Sequence, residues 1–182
     1  MSELLEAVYR GDGDHVAELL AAGPELDVFE AAAVGRTDRL RELLAENPDL
    51  AAAWAEDGFT PLHLAAFFRQ PDAALLLVEH GAPVDVVARN RDIAVTPLQS
   101  AVTAGEEETT ALLLARGADP NFQHGRGFTP LHAAAHHGNG RLVDMLLANG
   151  ADRALADDEG RTPAAYAREA GHETLAARLE TE

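Results

Sequence analysis

The histidines around residue 132 are the side chains whose spacing best suits metal chemistry. His132 and His136 lie four residues apart, which places two imidazoles on one face of a helix, as in a metal-ligand pair. His137 and His124 are close enough in the sequence to join them. No carboxylate or third ligand has a fixed place beside the pair, and His63 has a similar sequence context without a second histidine. We therefore expect no metal and no cofactor. A metal- or ligand-responsive protein using His132, His136 and His137 stays as an alternative.

The motifs of common catalytic sites are missing from this sequence. It has no glycine-rich phosphate loop, no HExxH, no G-x-S-x-G and no cysteine nucleophile. Carboxylates are numerous but form no recognisable pair for acid–base work. We expect no enzymatic activity.

Charge and composition restrict the class of partner. The formal net charge is -17, and all 14 basic side chains are arginine. A field of this sign repels nucleic acid and anionic lipid, and it favours a basic or neutral partner. The absence of cysteine fits a reducing compartment. The acidic start at residues 1–3 lacks a signal-peptide pattern, and the longest apolar run, 73–78, is too short to span a bilayer. We expect a cytoplasmic protein that binds neither nucleic acid nor membrane.

A seven-residue motif recurs and indicates the elements that position these side chains. Its threonines, Thr60, Thr96, Thr129 and Thr162, follow one another at steps of 36, 33 and 33 residues. A period near 33 residues is typical of a stacked helical repeat. A glycine recurs at a fixed place in the units, and in most of them a leucine pair follows it. The glycines are Gly11, Gly35, Gly105, Gly138 and Gly171.

Each unit predicts two helices. Threonine is a good N-cap and proline suits the first helical position. The side chain three residues later can complete a capping box at Gln99, and His63 and His132, which hold the equivalent place, are expected to form local hydrogen bonds. Glycine then ends the inner helix, and an outer helix follows. A second left-handed residue is expected to end the outer helix; these residues are Gly23, Asn47, Gly81, Gly117 and Gly150.

The stretches TPLHLAA at 60–66, GAD at 117–119 and 150–152, and DGFT at 57–60 resemble the ankyrin repeat. The resemblance implies an all-α solenoid of paired antiparallel helices joined by short β-hairpin loops. We expect a single domain over residues 1–182 with about six units. The units are an N-terminal cap at 2–25, then 26–58, 59–94, 95–127 and 128–160, and a C-terminal cap at 161–182.

Three local departures from the repeat carry expectations of their own. Arg69 stands where the other units have glycine, so either the turn is reshaped or backbone strain is accepted. The connection after Gly81 is three residues longer than its later counterparts, which predicts a protruding finger. Only 24 residues separate Gly11 from Gly35, so no hairpin is expected after the first unit.

The resemblance also implies where a partner binds, because similar proteins use the hairpin tips and the exposed ends of the inner helices. Five of the nine aromatic residues fall on or beside that face. The predicted partner-binding residues are Trp54, Glu56, Phe59, Phe67, Phe68, Arg91, Asp92, Arg126, Phe128, His136, His137 and Arg161. We expect Phe59, Phe67, Phe68 and Phe128 to form one continuous apolar patch; local packing of these rings is the alternative.

The sequence thus predicts a non-catalytic module that binds another protein through its concave face. A monomer is expected, and a self-associating structural unit that uses the same aromatics is the remaining alternative.

Overall fold

The computed structural model describes residues 1–90 and 93–181, and within these it contains twelve α-helices in six successive pairs. The predicted residues Arg91 and Asp92 lie outside the described part. A 3₁₀ helix at Pro48–Ala52 follows the second pair. The α-helices are α1 Glu3–Arg10, α2 Gly13–Ala21, α3 Val28–Ala33, α4 Thr37–Glu46, α5 Pro61–Phe67, α6 Pro71–Glu79, α7 Pro97–Ala104, α8 Glu107–Ala115, α9 Pro130–His136, α10 Gly140–Ala148, α11 Pro163–Glu169 and α12 Glu173–Thr181.

The helices stack in two layers. The odd-numbered helices pack against one another in chain order and form the inner layer, and from α4 to α10 the even-numbered helices do the same in the outer layer. Leu62, Leu98 and Leu131 of the inner layer are fully buried, as are Leu77 and Leu113 of the outer layer. Each unit buries most of its apolar face against its immediate neighbours, as expected of a solenoid. The prediction of an all-α solenoid is confirmed.

Helix starts follow the threonine–proline motif, with one exception to the predicted capping. Nδ1 of His63 accepts a hydrogen bond from the backbone N–H of Thr60, and His132 does the same for Thr129. The expected capping box at Gln99 is wrong. Its Nε2 donates to Oγ1 of Thr103 at 3.1 Å, one turn further along the helix, because its longer, flexible side chain reaches a neighbour four residues away.

We call the connections between successive units fingers. In the first (residues 55–59), second (88–95) and fourth (157–161), a backbone hydrogen bond of 2.8–3.0 Å joins the first residue to the last. The third finger (124–128) carries an isolated antiparallel bridge. No β-strand is present in the described residues, so these fingers stand where hairpin loops were predicted. The loop 22–27 after the first unit has no finger, as expected.

Asn47 does not adopt the predicted left-handed conformation. Its φ is -145° and its ψ is 96°, which is extended backbone. Pro48 follows it and restricts the preceding residue to this region. The outer helix α4 therefore ends at Glu46 by a different route from the glycine-ended helices.

Arg69 accepts backbone strain. Its φ is +59°, and it is the one non-glycine residue of the described chain with a positive φ. The turn keeps its glycine geometry, since the equivalent Gly105 has a φ of +70°. A side chain in this region costs about 1 kcal/mol.

Arg69→Gly should therefore raise the free energy of unfolding by about 1 kcal/mol, seen as a higher urea midpoint at an unchanged m-value. Gly105→Ala is the matched control, because a methyl group there meets no atom within 4 Å and only the backbone strain is added. It should lower stability by a similar amount. An unchanged midpoint for Arg69→Gly would show that the strain is relieved by contacts of the arginine.

Candidate partner-binding face

Three aromatic rings join the first and third units on the inner side. The Tyr9 and Phe68 ring centroids are 5.1 Å apart, and those of Phe67 and Phe68 are 5.2 Å apart. Ala33 has the corresponding place at the end of α3 and is buried, so its small side chain leaves room for Tyr9 to pass over the second unit. Phe67 is 44% exposed. We call these three rings the aromatic ridge. In it, the exposed ring of Phe67 is held in place by packing against Phe68, which in turn packs against Tyr9.

Tyr9 is held by a hydrogen bond as well as by packing. Its hydroxyl donates to Oδ2 of Asp57 in the first finger at 2.9 Å. Burial, together with this hydrogen bond and the charge of Asp57, raises the pKa of the Tyr9 phenol well above its ordinary value. The phenol is therefore a neutral donor at any physiological pH, and it ties the ridge to the first finger.

A cavity of about 380 Å³, the finger pocket, opens beside the ridge under the second finger. It is predominantly apolar, with a few polar groups, which is the usual composition of a binding pocket. The lining residues are Tyr9, Phe59, His63, Leu64, Phe67, Ile93, Val95, Gln99, Ser100 and Thr103. The predicted residues Phe59 and Phe67 thus line one pocket, and Phe68 belongs to the ridge beside it.

His63 forms part of the pocket wall and anchors the second finger. Its Nδ1 accepts from the Thr60 N–H at 3.2 Å, so its Nε2 carries the proton and donates to the Val95 carbonyl at 3.0 Å. Burial lowers the pKa of His63 to about 4. The imidazole is therefore neutral at pH 7.

This histidine should make stability depend on pH. Its pKa in the folded state lies below the unfolded value, so the unfolded chain binds more protons between pH 6.5 and 4. The stability that neutral His63 contributes is present above pH 6.5 and is lost as the pH falls toward 4, by about 3 kcal/mol in all. Chemical denaturation at several pH values measures this loss.

His63→Gln is the control for this pH effect, because Gln99 shows that the position accepts glutamine. The variant should be less stable at pH 7 but should lose less stability on acidification than the parent. Equal losses in parent and variant would contradict the assignment.

His132 has a structural role and no free nitrogen for a metal. Its Nδ1 accepts from Thr129 and its Nε2 donates to the Arg161 carbonyl at 3.1 Å. His136 and His137 are exposed, with ring centroids 5.7 Å apart. In residues 1–90 and 93–181, no group of three or more His, Cys, Asp or Glu side chains could hold a metal ion.

The single continuous patch predicted for the four phenylalanines is wrong, because Phe128 belongs to a different group of rings. It packs against His132 at 5.2 Å and Tyr166 at 5.1 Å, both measured between ring centroids. Phe128 precedes α9, two units beyond Phe67, and its neighbours are contributed by α9 and α11. The inner side therefore carries two aromatic groups.

Arg161 and Asp157 brace the second aromatic group. Oδ2 of Asp157 accepts from Nε of Arg161 at 3.0 Å and from the Tyr166 hydroxyl at 2.8 Å. Burial alone would raise the pKa of Asp157, but hydrogen bonds from the Arg161 N–H, the Tyr166 hydroxyl and the Arg161 guanidinium hold it far below its usual value. The predicted binding residue Arg161 is thus already engaged within the fold.

The remaining predicted residues also have partners within the chain. The guanidinium of Arg89 lies 4.0 Å above the ring of Trp54, and Glu56 pairs with the N-terminal amine at 3.0 Å. Arg126 pairs with Glu159 at 3.6 Å. The predicted charged and polar residues thus have contacts within the chain, whereas Phe67 of the aromatic ridge is an exposed apolar side chain.

Sequence reasoning missed Ile93 and Gln99 as residues of the pocket. Ile93 is 48% exposed, and the length of the second finger was the available signal for it. Gln99 occupies the place in the motif that His63 and His132 hold in other units, and this difference in residue type was the available signal for it.

The helix pairs, inner faces and fingers define a helical-repeat solenoid. The family model described as ankyrin repeats (3 copies) matches residues 4–124 and 98–179. The chain belongs to the ankyrin-repeat family. Ankyrin repeats are generally protein–protein interaction modules and are typically not enzymes. A search of curated proteins found no match.

Among the described residues, the helices lack the combination of length and apolar character that crossing a bilayer requires.

Proposed function

We propose that this protein is a non-catalytic module that binds another protein through the face formed by its fingers and the ends of its inner helices. The observation that carries the proposal is Phe67, 44% exposed at the edge of a preformed apolar pocket. Hot spots of protein interfaces are aromatic anchors beside such pockets. The aromatic ridge and the finger pocket would be the centre of affinity.

Charge and environment extend the proposal to the class of partner. The net charge of -17 favours a basic or neutral protein, and electrostatic steering would mainly affect the rate of association. We propose a cytoplasmic monomer with no nucleic-acid or membrane partner. The exposed histidines, the second aromatic group and the fingers would lie at the edge of the contact.

Phe67→Ser tests this proposal, with Leu75→Ser as its matched control. Leu75 is 39% exposed on the outer helix of the same unit, so both changes remove an exposed apolar side chain. In affinity capture from a cell lysate, Phe67→Ser should weaken retention of the partner by about 30-fold, the effect of a hot-spot residue. Leu75→Ser should retain it.

Two outcomes would overturn the proposal. Equal retention by Phe67→Ser and the parent, with native circular dichroism for both, would place the site elsewhere. A dimer of the parent in light scattering that becomes a monomer on Phe67→Ser would show that the ridge serves self-association.

A further inference from the structure

Gln99 holds the same place in the repeated motif as His63 and His132, but its side chain lacks one of its hydrogen bonds. His63 and His132 use both ring nitrogens. Gln99 donates through Nε2 to Thr103, but its Oε1 is buried and has no hydrogen-bond partner. The residue is only 2% exposed. An unpaired buried acceptor is destabilising, and such groups are rare in native folds.

The unpaired oxygen belongs to a residue in the wall of the finger pocket. Other buried polar side chains of the wall are satisfied: Ser100 donates to the Thr96 carbonyl, and His63 uses both nitrogens. The final torsion of a glutamine side chain is broad and soft. Rotation of the Gln99 amide about this torsion would turn Oε1 toward an occupant of the pocket without movement of α7, in exchange for the hydrogen bond from Nε2 to Thr103.

The rest of the wall limits the occupant to a neutral aromatic group. Tyr9, Phe59 and Phe67 offer ring surfaces, which favour edge-to-face contact with another ring. No Asp, Glu, Lys or Arg among the described residues lines the pocket, and burying a charged group against its apolar wall is costly. Phenylalanine or leucine would leave the Gln99 oxygen unpaired, whereas an indole N–H is a donor only.

We propose that the finger pocket takes the indole of a tryptophan side chain from the partner protein, with its ring N–H donating to Oε1 of Gln99. This inference rests on the proposed function and names the anchor residue of the partner. The net charge of the chain, -17, favours a neutral or basic segment around the tryptophan.

The test is a titration of the ¹⁵N-labelled protein, followed by NMR, with the capped tripeptide acetyl-Lys-Trp-Lys-amide. Saturable shifts are expected for the Gln99 side-chain amide and the Ile93 backbone amide. The same peptide with 1-methyltryptophan lacks the ring donor and should bind about tenfold more weakly. Acetyl-Glu-Trp-Glu-amide should also bind more weakly, and the difference should shrink in high salt.

Variants of Gln99 show whether the hydrogen bond is the cause. Gln99→His gives the unit the residue of its neighbours, and Gln99→Leu removes the acceptor while keeping the wall apolar. Each variant should bind acetyl-Lys-Trp-Lys-amide and its 1-methyltryptophan analogue with equal affinity. The inference would be overturned if the parent protein bound these two peptides equally well, or if the NMR shifts fell outside the residues of the pocket.

Free 3-methylindole separates a side chain from a small molecule as the occupant. If it binds in the pocket and the peptide does not, the site belongs to a small molecule and the inference fails. If Phe67→Ser loses the captured partner while no tryptophan peptide binds, the proposed function stands and only this inference fails.

Discussion

Replacing Leu98 with alanine should lower the free energy of unfolding by about 3 kcal/mol, which is a large share of the stability of a domain this size. Leu98 is fully buried in α7, which packs between α5 and α9. A solenoid has no central core to compensate for the cavity, so both neighbouring interfaces lose contacts. Urea unfolding measures the change.

Leu75→Ala is the control for the Leu98 prediction. It deletes the same atoms from a leucine that is 39% exposed and should cost about 1 kcal/mol or less. If the two variants unfolded at the same urea concentration, the packing of α7 between its neighbours would not be as tight as described.

Gly58→Ala should separate the first two fingers and lower stability by about 3 kcal/mol, from backbone strain and overpacking together. Gly58 has a φ of +85°, and a methyl group there would lie 2.5 Å from the backbone nitrogen of Asn90 and 2.6 Å from the carbonyl carbon of Arg89. Backbone atoms cannot move aside as a flexible side chain does. The hydrogen bond from the Arg89 N–H to the Gly58 carbonyl, now 2.8 Å, should break.

Trp54 reports that separation directly. It is the only tryptophan of the chain, and Arg89 lies over its ring, so its fluorescence should change when the second finger moves. Gly81→Ala supplies the control, because Gly81 has the same φ of +85° and open space around it. It should cost about 1 kcal/mol and leave the emission of Trp54 unchanged. The same emission change in both variants would show that strain and not the close contact is responsible.

The repeat, the helix pairs and most of the helix ends could be predicted from the sequence, because they depend on local signals at fixed spacing. Thr60 and Pro61 start a helix by their own geometry, and the glycines at equivalent places predicted either a reshaped turn or backbone strain at Arg69. The left-handed conformation predicted for Asn47 was wrong because the next residue, Pro48, restricts Asn47 to extended backbone. The capping box predicted at Gln99 was wrong because its side chain can reach several partners, and sequence spacing does not decide between them.

The candidate site was harder to predict because it depends on contacts between units. Phe59 and Phe67 were predicted to lie on the exposed side, and both line the finger pocket. Their separation from Phe128 follows from packing of that ring on α9 and α11, which no local pattern encodes. The joining of Tyr9 to Phe68 depends on the small size of Ala33 in an intervening unit.

That contact between Tyr9 and Phe68 changes how the N-terminal end of the array should open. In repeat proteins, each unit is stabilised by its immediate neighbours alone, and terminal units are the first to fray. Here the first unit also contacts the third, so the first three units should exchange their amide hydrogens as one cooperative block. Since Tyr9 also forms a wall of the finger pocket, a bound partner should slow exchange in α1, far along the chain from most of its contacts.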